Sequence, residues 1–304
     1  MKIIVAVDGS TQAGLAVEWT AQLPLTAADE IIVTSVAEHP ALVGAWGYAY
    51  HEGYETVSEE VLAAGRDDAR QAAETAAAAL SPGACPVSVQ IREGHPIQEL
   101  LAAIAEAGAD LIVVGPHGHG ALETILLGSV SQALLHAMAT SVLVAREPIG
   151  VPQRVLLATD GSPHSLAAAR FVAQLPLAAE VRIDVLVVID RWPPAHADDK
   201  VVGPDAFAAV QQTGLEEIIQ GTVAVLEAGG RTGVPVIRHG NAKREILATA
   251  RDLDSDLVVT GARGVGGFRG LLLGSVSRAV GKAAPCSTLV VCQDRASPAP
   301  DEPG

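Results

Sequence analysis

The chain has 304 residues, of which 49% are hydrophobic and 18% charged, with a formal net charge of −15. That length predicts two domains of about 150 residues each rather than one, and the acidic balance excludes general nucleic-acid binding, which needs an excess of Lys and Arg against phosphate. Aromatics at 3%, beside abundant Ala, Val and Leu, favour close-packed helices on parallel strands over an aromatic-rich sandwich.

In chain order, the apolar β-branched run Ile3–Val7 reads as a strand and stops at Asp8-Gly9-Ser10. It is too short for a signal-peptide core, and no stretch approaches the ~18–20 apolar residues of a bilayer span. No targeting signal and no membrane partner are therefore expected, and the expected location is the cytoplasm. A helical pattern follows through Leu15, Val17 and Trp19, then an apolar run over Glu30–Val36 that reads as the second strand. The stretch 38–58, with Trp46, Tyr48, Tyr50 and Tyr54, reads either as a covering loop or as a place for specificity and partner contacts. The Ala-rich segment 59–80 predicts a helix, Val87–Ile91 a strand, 96–107 a helix and Leu111–Val114 a strand. A last helix follows Gly128, and Ser141–Ala145 closes the unit as a strand. Alternation of helices with near-continuous apolar strands is the pattern of a parallel sheet covered on both faces. Five such strands make a doubly wound α/β domain.

The same plan then repeats. KIIVAVDGS at 2–10 aligns with RVLLATDGS at 154–162, and AQLPL at 21–25 recurs at 173–177, both at an offset of 152. IREGHP at 91–96 matches IRHGNA at 237–242, and DLIVVGPHG at 110–118 matches DLVVTGARG at 256–264, now at an offset of 146. The chain is a tandem duplication, with domains expected at 1–147 and 153–293, a Pro- and Gly-bearing linker at 146–153, and a Pro-rich polar tail at 294–304 expected to be disordered. The least alike regions are 38–58 and 190–212, the latter carrying Trp192, Pro193 and Pro194. Cys85, Cys286 and Cys292 show no metal-ligand spacing and read as buried or half-buried thiols.

In an open parallel sheet, ligands gather at the carboxyl ends of the strands. Asp8 and Asp160 end strand 1 of each half, and Val36 and Val188 are expected to end strand 2. After strand 4 the chain reads Gly115-x-x-Gly118, nine residues, then Gly128-Ser129; the second half reads Gly261-x-x-Gly264, nine residues, then Gly274-Ser275. Glycines let backbone N–H groups approach an anion closely, and a helix start presents unsatisfied N–H groups with a positive dipole end. A Gly-Ser pair alone is equally an ordinary helix N-cap. Retention of both glycine pairs, the spacer and LLGSVS in two copies favours a phosphate site. There is no P-loop, because Gly281-Lys282 is followed by Ala283. The run GVGGFRG at 264–270 has Arg269 in its third glycine position and lies after strand 4, so it is not a dinucleotide fingerprint.

Asp-Gly-Ser after strand 1 with G-x2-G-x9-G-[ST] after strand 4 resembles the ATP-binding branch of the universal stress proteins. The resemblance spans nearly the whole chain and implies two tandem doubly wound, five-stranded Rossmann-like domains of the adenine nucleotide alpha hydrolase kind. It implies that Asp8-Gly9 and Asp160-Gly161 meet the adenine or ribose, and that Val36 and Val188 offer main-chain groups to the adenine. Gly115, Gly118, Gly261 and Gly264 would line ribose and phosphates. Gly128, Ser129, Val130 and Ser131, with Gly274, Ser275, Val276 and Ser277, would hold the phosphates of ATP with Mg²⁺. From the residues alone, the two aspartates remain alternatives as helix N-caps, and the two valines as ordinary strand-end residues. Asn241-Ala242 departs from the family's G-x-P, kept as His95-Pro96 in the first half, which puts the second half's turn in question. The resemblance also implies that Ser141–Ala145 and Ser287–Cys292 pair across the halves as an internal pseudo-dimer, with a further homodimer and an unnamed protein partner open.

Charge separates the two loops. The second carries Arg263 and Arg269 where the first has His117, His119 and Glu123. Arg is a permanent cation suited to phosphate and His only a partial one, so the second half is expected to hold ATP more tightly. His117 and His119 lack a third ligand and do not read as a metal site. No recurring acidic pair or nucleophile accompanies the loops, so the expectation is a nucleotide-responsive regulator, with a slow ATPase or autophosphorylating enzyme as the alternative.

Overall fold

The computed structural model describes residues 1–38, 59–118, 127–147, 150–189, 204–264 and 273–292, with 204–213 in backbone only. Expectations for the aromatic loop at 39–58, for Trp192, His119, Glu123 and Arg269, and for the tail fall outside the described residues.

The first half runs β1 (Lys2–Val7), α1 (Thr11–Ala21), β2 (Glu30–Glu38), α2 (Glu59–Leu80), β3 (Val87–Gly94), α3 (Pro96–Ala107), β4 (Leu111–Val114), α4 (Ser129–Ala137) and β5 (Ser141–Val144). The second runs β6 (Arg154–Ala158), α5 (Pro163–Gln174), β7 (Arg182–Ile189), α6 (Pro204–Ala228), β8 (Gly233–His239), α7 (Ala242–Asp252), β9 (Leu257–Gly261), α8 (Ser275–Ala283) and β10 (Ser287–Val291). The strands form one ten-stranded sheet in the order β3-β2-β1-β4-β5-β10-β9-β6-β7-β8. Every neighbouring pair is parallel except β5 and β10, which pair antiparallel with Leu143 opposite Leu289. Each half is therefore a five-stranded doubly wound sheet, and the seam between the halves is the pairing of their last strands.

The short central strands are apolar throughout because both faces are covered. Every residue of β4, β5, β9 and β10 is buried. One core, running from Ile3 and Val5 through Leu143 and Ala145 to Leu157 and Leu289, crosses the seam on the face covered by α1, α2, α5 and α6. The Asp that opens each DL-[IV]-V segment has a structural task. Asp110 Oδ2 accepts from the Lys2 backbone N–H at 2.7 Å, and Asp256 Oδ2 from those of Gln153 and Arg154 at 2.8 Å. A carboxylate at the start of β4 or β9 thus pins the start of its neighbour in the sheet.

Two expectations change. The second strands run past the expected end: β2 continues to Glu38, so Val36 pairs with Arg92 inside the ladder, and Val188 with Arg238. The turn in question at Asn241 keeps the first half's path. Gly94 and Gly240 have φ of 140° and 144°. Pro96 opens α3 at its first turn, and the Asn241 side chain caps α7 by accepting from Arg244 N–H at 3.4 Å. A capping Asn replaces a helix-starting Pro with no change of backbone.

The seam's two ends differ. Arg146 donates through its backbone N–H to Ser287 Oγ at 3.0 Å, and its guanidinium reaches Thr288 Oγ1 at 3.1 Å and the Gly281 carbonyl. Burial lowers its pKa to about 10. At the symmetric place Cys292 donates its N–H to Ser141 Oγ at 3.4 Å and its thiol to the Met138 carbonyl at 2.9 Å. All three cysteines are free, and burial pushes the Cys286 thiol up to about 12. Among the described residues no helix is long and apolar enough to cross a membrane.

Candidate functional site

Each half turns from its first strand into its first helix through Asp-Gly-Ser. Gly9 and Gly161 take φ of 81° and 76°, a left-handed conformation that side chains resist. The aspartate accepts from the backbone two residues on: Ser10 N–H to Asp8 Oδ1 at 2.9 Å, and Ser162 N–H to Asp160 Oδ1 at 3.1 Å. The helix cap is the serine. Ala13 N–H donates to Ser10 Oγ at 3.1 Å and Ser165 N–H to Ser162 Oγ at 3.2 Å. The alternative of Asp8 and Asp160 as N-caps is thereby set aside. Their other oxygen faces the second loop, where a Cβ on Gly118 or Gly264 would fall on Asp8 Oδ2 or Asp160 Oδ2.

The four loop glycines divide by task. A Cβ on Gly115 would lie 2.7 Å from the Gln12 carbonyl carbon, and one on Gly261 2.5 Å from the His164 carbonyl carbon. These two glycines let the end of strand 4 pack directly on the first turn of α1 or α5, a packing role beside the ribose and phosphate role that the resemblance implies. Gly118 and Gly264 instead clear space in front of a carboxylate. Gly128 N–H donates to Pro116 O at 2.7 Å and Gly274 N–H to Ala262 O at 2.8 Å, so neither amide is spare.

The LLGSVS serines also divide. Ser131 Oγ donates to Gly115 O at 2.7 Å and Ser277 Oγ to Gly261 O at 2.6 Å, both side chains being buried. Each ties the helix start to the loop, and its one proton is committed. Ser129 and Ser275 are exposed, with Val130 and Val276 half-buried between them and the loop-tying serines. Helices α4 and α8 have glycine caps with no side-chain hydrogen bond, whereas α1 and α5 are capped by serine. The first-turn N–H groups of Ser129, Val130 and Ser131, and of Ser275, Val276 and Ser277, thus present donors and a positive dipole end without a capping side chain.

The halves diverge around this frame. His117 of the first loop is matched by Arg263 of the second, and Gln12 by His164. Arg263 Nε and the Nδ1 atoms of His117 and His164 are buried without a hydrogen-bond partner among the described residues. Burial and the Arg263 charge hold His164 below its ordinary pKa, with Asp160 opposing. Sequence reading passed over His164, Gln12 and the capping serines; the S-x-x spacing at the head of an apolar helical pattern is the signal that finds Ser10 and Ser162. Val36 and Val188 are half-buried in the core on the α3 and α7 side, with their backbones at the carboxyl end of the sheet. No group of three or more His, Cys, Asp or Glu side chains suited to a metal occurs among the described residues.

A model of the universal stress protein family matches the chain twice, over residues 1–146 and 152–291. A universal stress protein of Mycobacterium tuberculosis is 31% identical over 98% of this chain and 97% of its own length. One from Mycolicibacterium smegmatis is 29% identical over 95% of this chain and 96% of its own. Among solved structures, a universal stress protein from Archaeoglobus fulgidus shares the fold over 96% of this chain and 98% of its own, with a TM-score of 0.67 at 20% identity.

Proposed function

Since the chain belongs to the universal stress protein family, we propose that each half binds one ATP at the carboxyl end of its strands and that occupancy regulates a partner in the stress response. The observation that carries this reading is the contrast in capping. In both halves the first helix is capped by its own serine, while the helix after the glycine loop starts on a bare glycine. A helix start built twice in this way is suited to an anion supplied from outside.

The residues fit a nucleotide. The Asp8 and Asp160 carboxylates, cleared by Gly118 and Gly264, are acceptors suited to ribose hydroxyls. The first-turn amides of α4 and α8, with the exposed Ser129 and Ser275 hydroxyls, are donors suited to phosphates. Backbone groups of Val36 and Val188, near the carboxyl ends of β2 and β7, are suited to an adenine edge. Ser131 and Ser277 act through the loop, holding it against the helix. An accompanying Mg²⁺ would draw its ligands from phosphate oxygens, a serine hydroxyl and water, as this small hard cation commonly does. Arg263 gives the second half a permanent cation where the first has His117, so the second half holds ATP more tightly.

The reading is tested by denaturing the purified protein and chromatographing any released nucleotide, then titrating the stripped chain with ATP. Two sites per chain are expected, with turnover of labelled ATP slow at most. A stripped chain that takes up no ATP sinks the reading, and rapid multiple turnover replaces the regulator by an enzyme.

A further inference from the structure

Beneath the Asp160 turn lies a chain of hydroxyls with no counterpart in the first half. Thr159, Ser165 and Thr222 are 7%, 3% and 0% exposed. Thr159 Oγ1 donates to Ser165 Oγ at 3.1 Å and lies 3.1 Å from Thr222 Oγ1. Thr222 has one proton, which goes either to Thr159 Oγ1, closing the chain, or to Ile218 O at 2.8 Å in its own helix. Ser165 Oγ donates to Ser162 O at 3.0 Å, and Ser162 Oγ lies within hydrogen-bond reach of Arg263 O at 3.4 Å. The chain therefore runs from α6 under the first strand's end to the cap of α5 and on to the glycine loop. It also receives the turn itself: Gly161 N–H donates to Thr159 Oγ1 at 3.3 Å.

At the offsets of 152 and 146 that relate the halves, the three positions are Val7, Ala13 and Ala76, all buried and all apolar. A hydroxyl of the first half, Ser35, lies opposite Val7 in the β1–β2 register, 1% exposed and without a hydrogen-bond partner among the described residues. Three changes at three separated sequence positions meet in one hydrogen-bonded group. A fully satisfied buried polar network fixes one arrangement because every alternative strands a donor or acceptor in low dielectric. Apolar packing of Val and Ala imposes no such demand on the amide above it.

We propose that Thr159, Ser165 and Thr222 are positioning residues that lock the second half's Asp160 turn to its glycine loop, making that half the preorganised nucleotide site and leaving the first half pliable. This rests on the nucleotide reading of the site and adds the device that separates the two copies. A preorganised turn loses less conformational freedom on binding, so the lock acts through affinity without touching the ligand. Ligand entry to the first half has to order the turn that the second half holds ready.

The test uses the full chain. The triple variant Thr159→Val, Ser165→Ala, Thr222→Ala writes the first half's residues into the second. Hydrogen exchange at the Gly161 amide is expected to quicken by about tenfold or more, and ATP affinity at the second site to fall by about tenfold, the first site keeping its own. Thr159→Ser keeps the hydroxyl and is expected to retain both properties. If the triple variant does not fold, Thr159→Val alone reads the same two quantities. Unchanged exchange at Gly161 overturns the lock, and faster exchange with unchanged affinity overturns its part in binding. A wild-type chain that binds no ATP overturns the functional reading alone, because the Gly161 exchange comparison needs no nucleotide.

Discussion

Under Asp8-Gly9-Ser10 the protein packs Val7, Ala13 and Ala76; under Asp160-Gly161-Ser162 it packs Thr159, Ser165 and Thr222. The turns above are alike, with the same left-handed glycine, the same aspartate bond and the same serine cap. So are the glycines that admit α1 and α5 and the serines that tie α4 and α8 to their loops. What fixes the backbone path has been kept twice, and what lies under or beside the candidate site has diverged: His117 against Arg263, Gln12 against His164. The two copies thus carry different side-chain chemistry on one main-chain path.

The harshest way to break the comparison is at the helix starts. A Cβ on Gly128 would lie 2.9 Å from His117 Cα, and one on Gly274 3.2 Å from Ala262 O. An aspartate there also puts a negative charge at a positive dipole end. Gly128→Asp and Gly274→Asp are each expected to weaken their own site by about 100-fold or more (about 2.7 kcal/mol) and to lower calorimetric stoichiometry from two to one. Loss of both sites from one substitution would contradict two independent halves.

Next comes the seam. Arg146 makes hydrogen bonds to Ser287, Thr288 and Gly281, and Cys292 bonds Ser141 and Met138. Arg146→Ala is expected to cost about 2–3 kcal/mol in urea unfolding and Cys292→Ala under about 1 kcal/mol. Equal costs would mean that the two ends of the seam carry equal load. Smaller again is Arg263→His, which gives the second loop the first's residue and should weaken ATP there about tenfold (about 1.4 kcal/mol). Equal affinities at the two unaltered sites would remove the basis for that asymmetry.

The smallest effect is on pH. His164 is held below its ordinary pKa in the folded state. The unfolded chain therefore binds this proton more readily, and stability must fall as pH drops through the unfolded value near ~6.5. Unfolding midpoints at pH 7.5 and 5.5 should differ less in His164→Gln, which carries the first half's residue, than in the unaltered chain. An unchanged difference would show that other groups set the slope.

Much of this was legible in the sequence because period and repetition report the backbone. The 59–80 and 96–107 helices and the Leu111–Val114 strand are found as read, since Ala-rich and uniformly apolar segments leave little choice of element. The apolar run of strand 2 ends at Val36, whereas pairing with β3 carries the ladder on through Ala37 and Glu38. The repeated glycines point to a candidate site but not to how the work is shared within it. Gly115 and Gly118 look identical in sequence; one faces a helix backbone and the other a carboxylate. The hydroxyl chain was hidden for a different reason. Thr159 lies just past β6, Ser165 in α5 and Thr222 in α6, and only the packing of α6 against α5 and the sheet brings them together.

The antiparallel pairing of β5 with β10 has a last consequence. Because every other pairing is parallel, the strands of the two halves point in opposite directions, and so do their carboxyl ends. The two candidate sites therefore lie at opposite rims of one continuous sheet. If occupancy is read by a partner as proposed, a single flat partner meets only one site, and the chain acts as a bivalent connector that gains avidity only from partners arrayed at both rims.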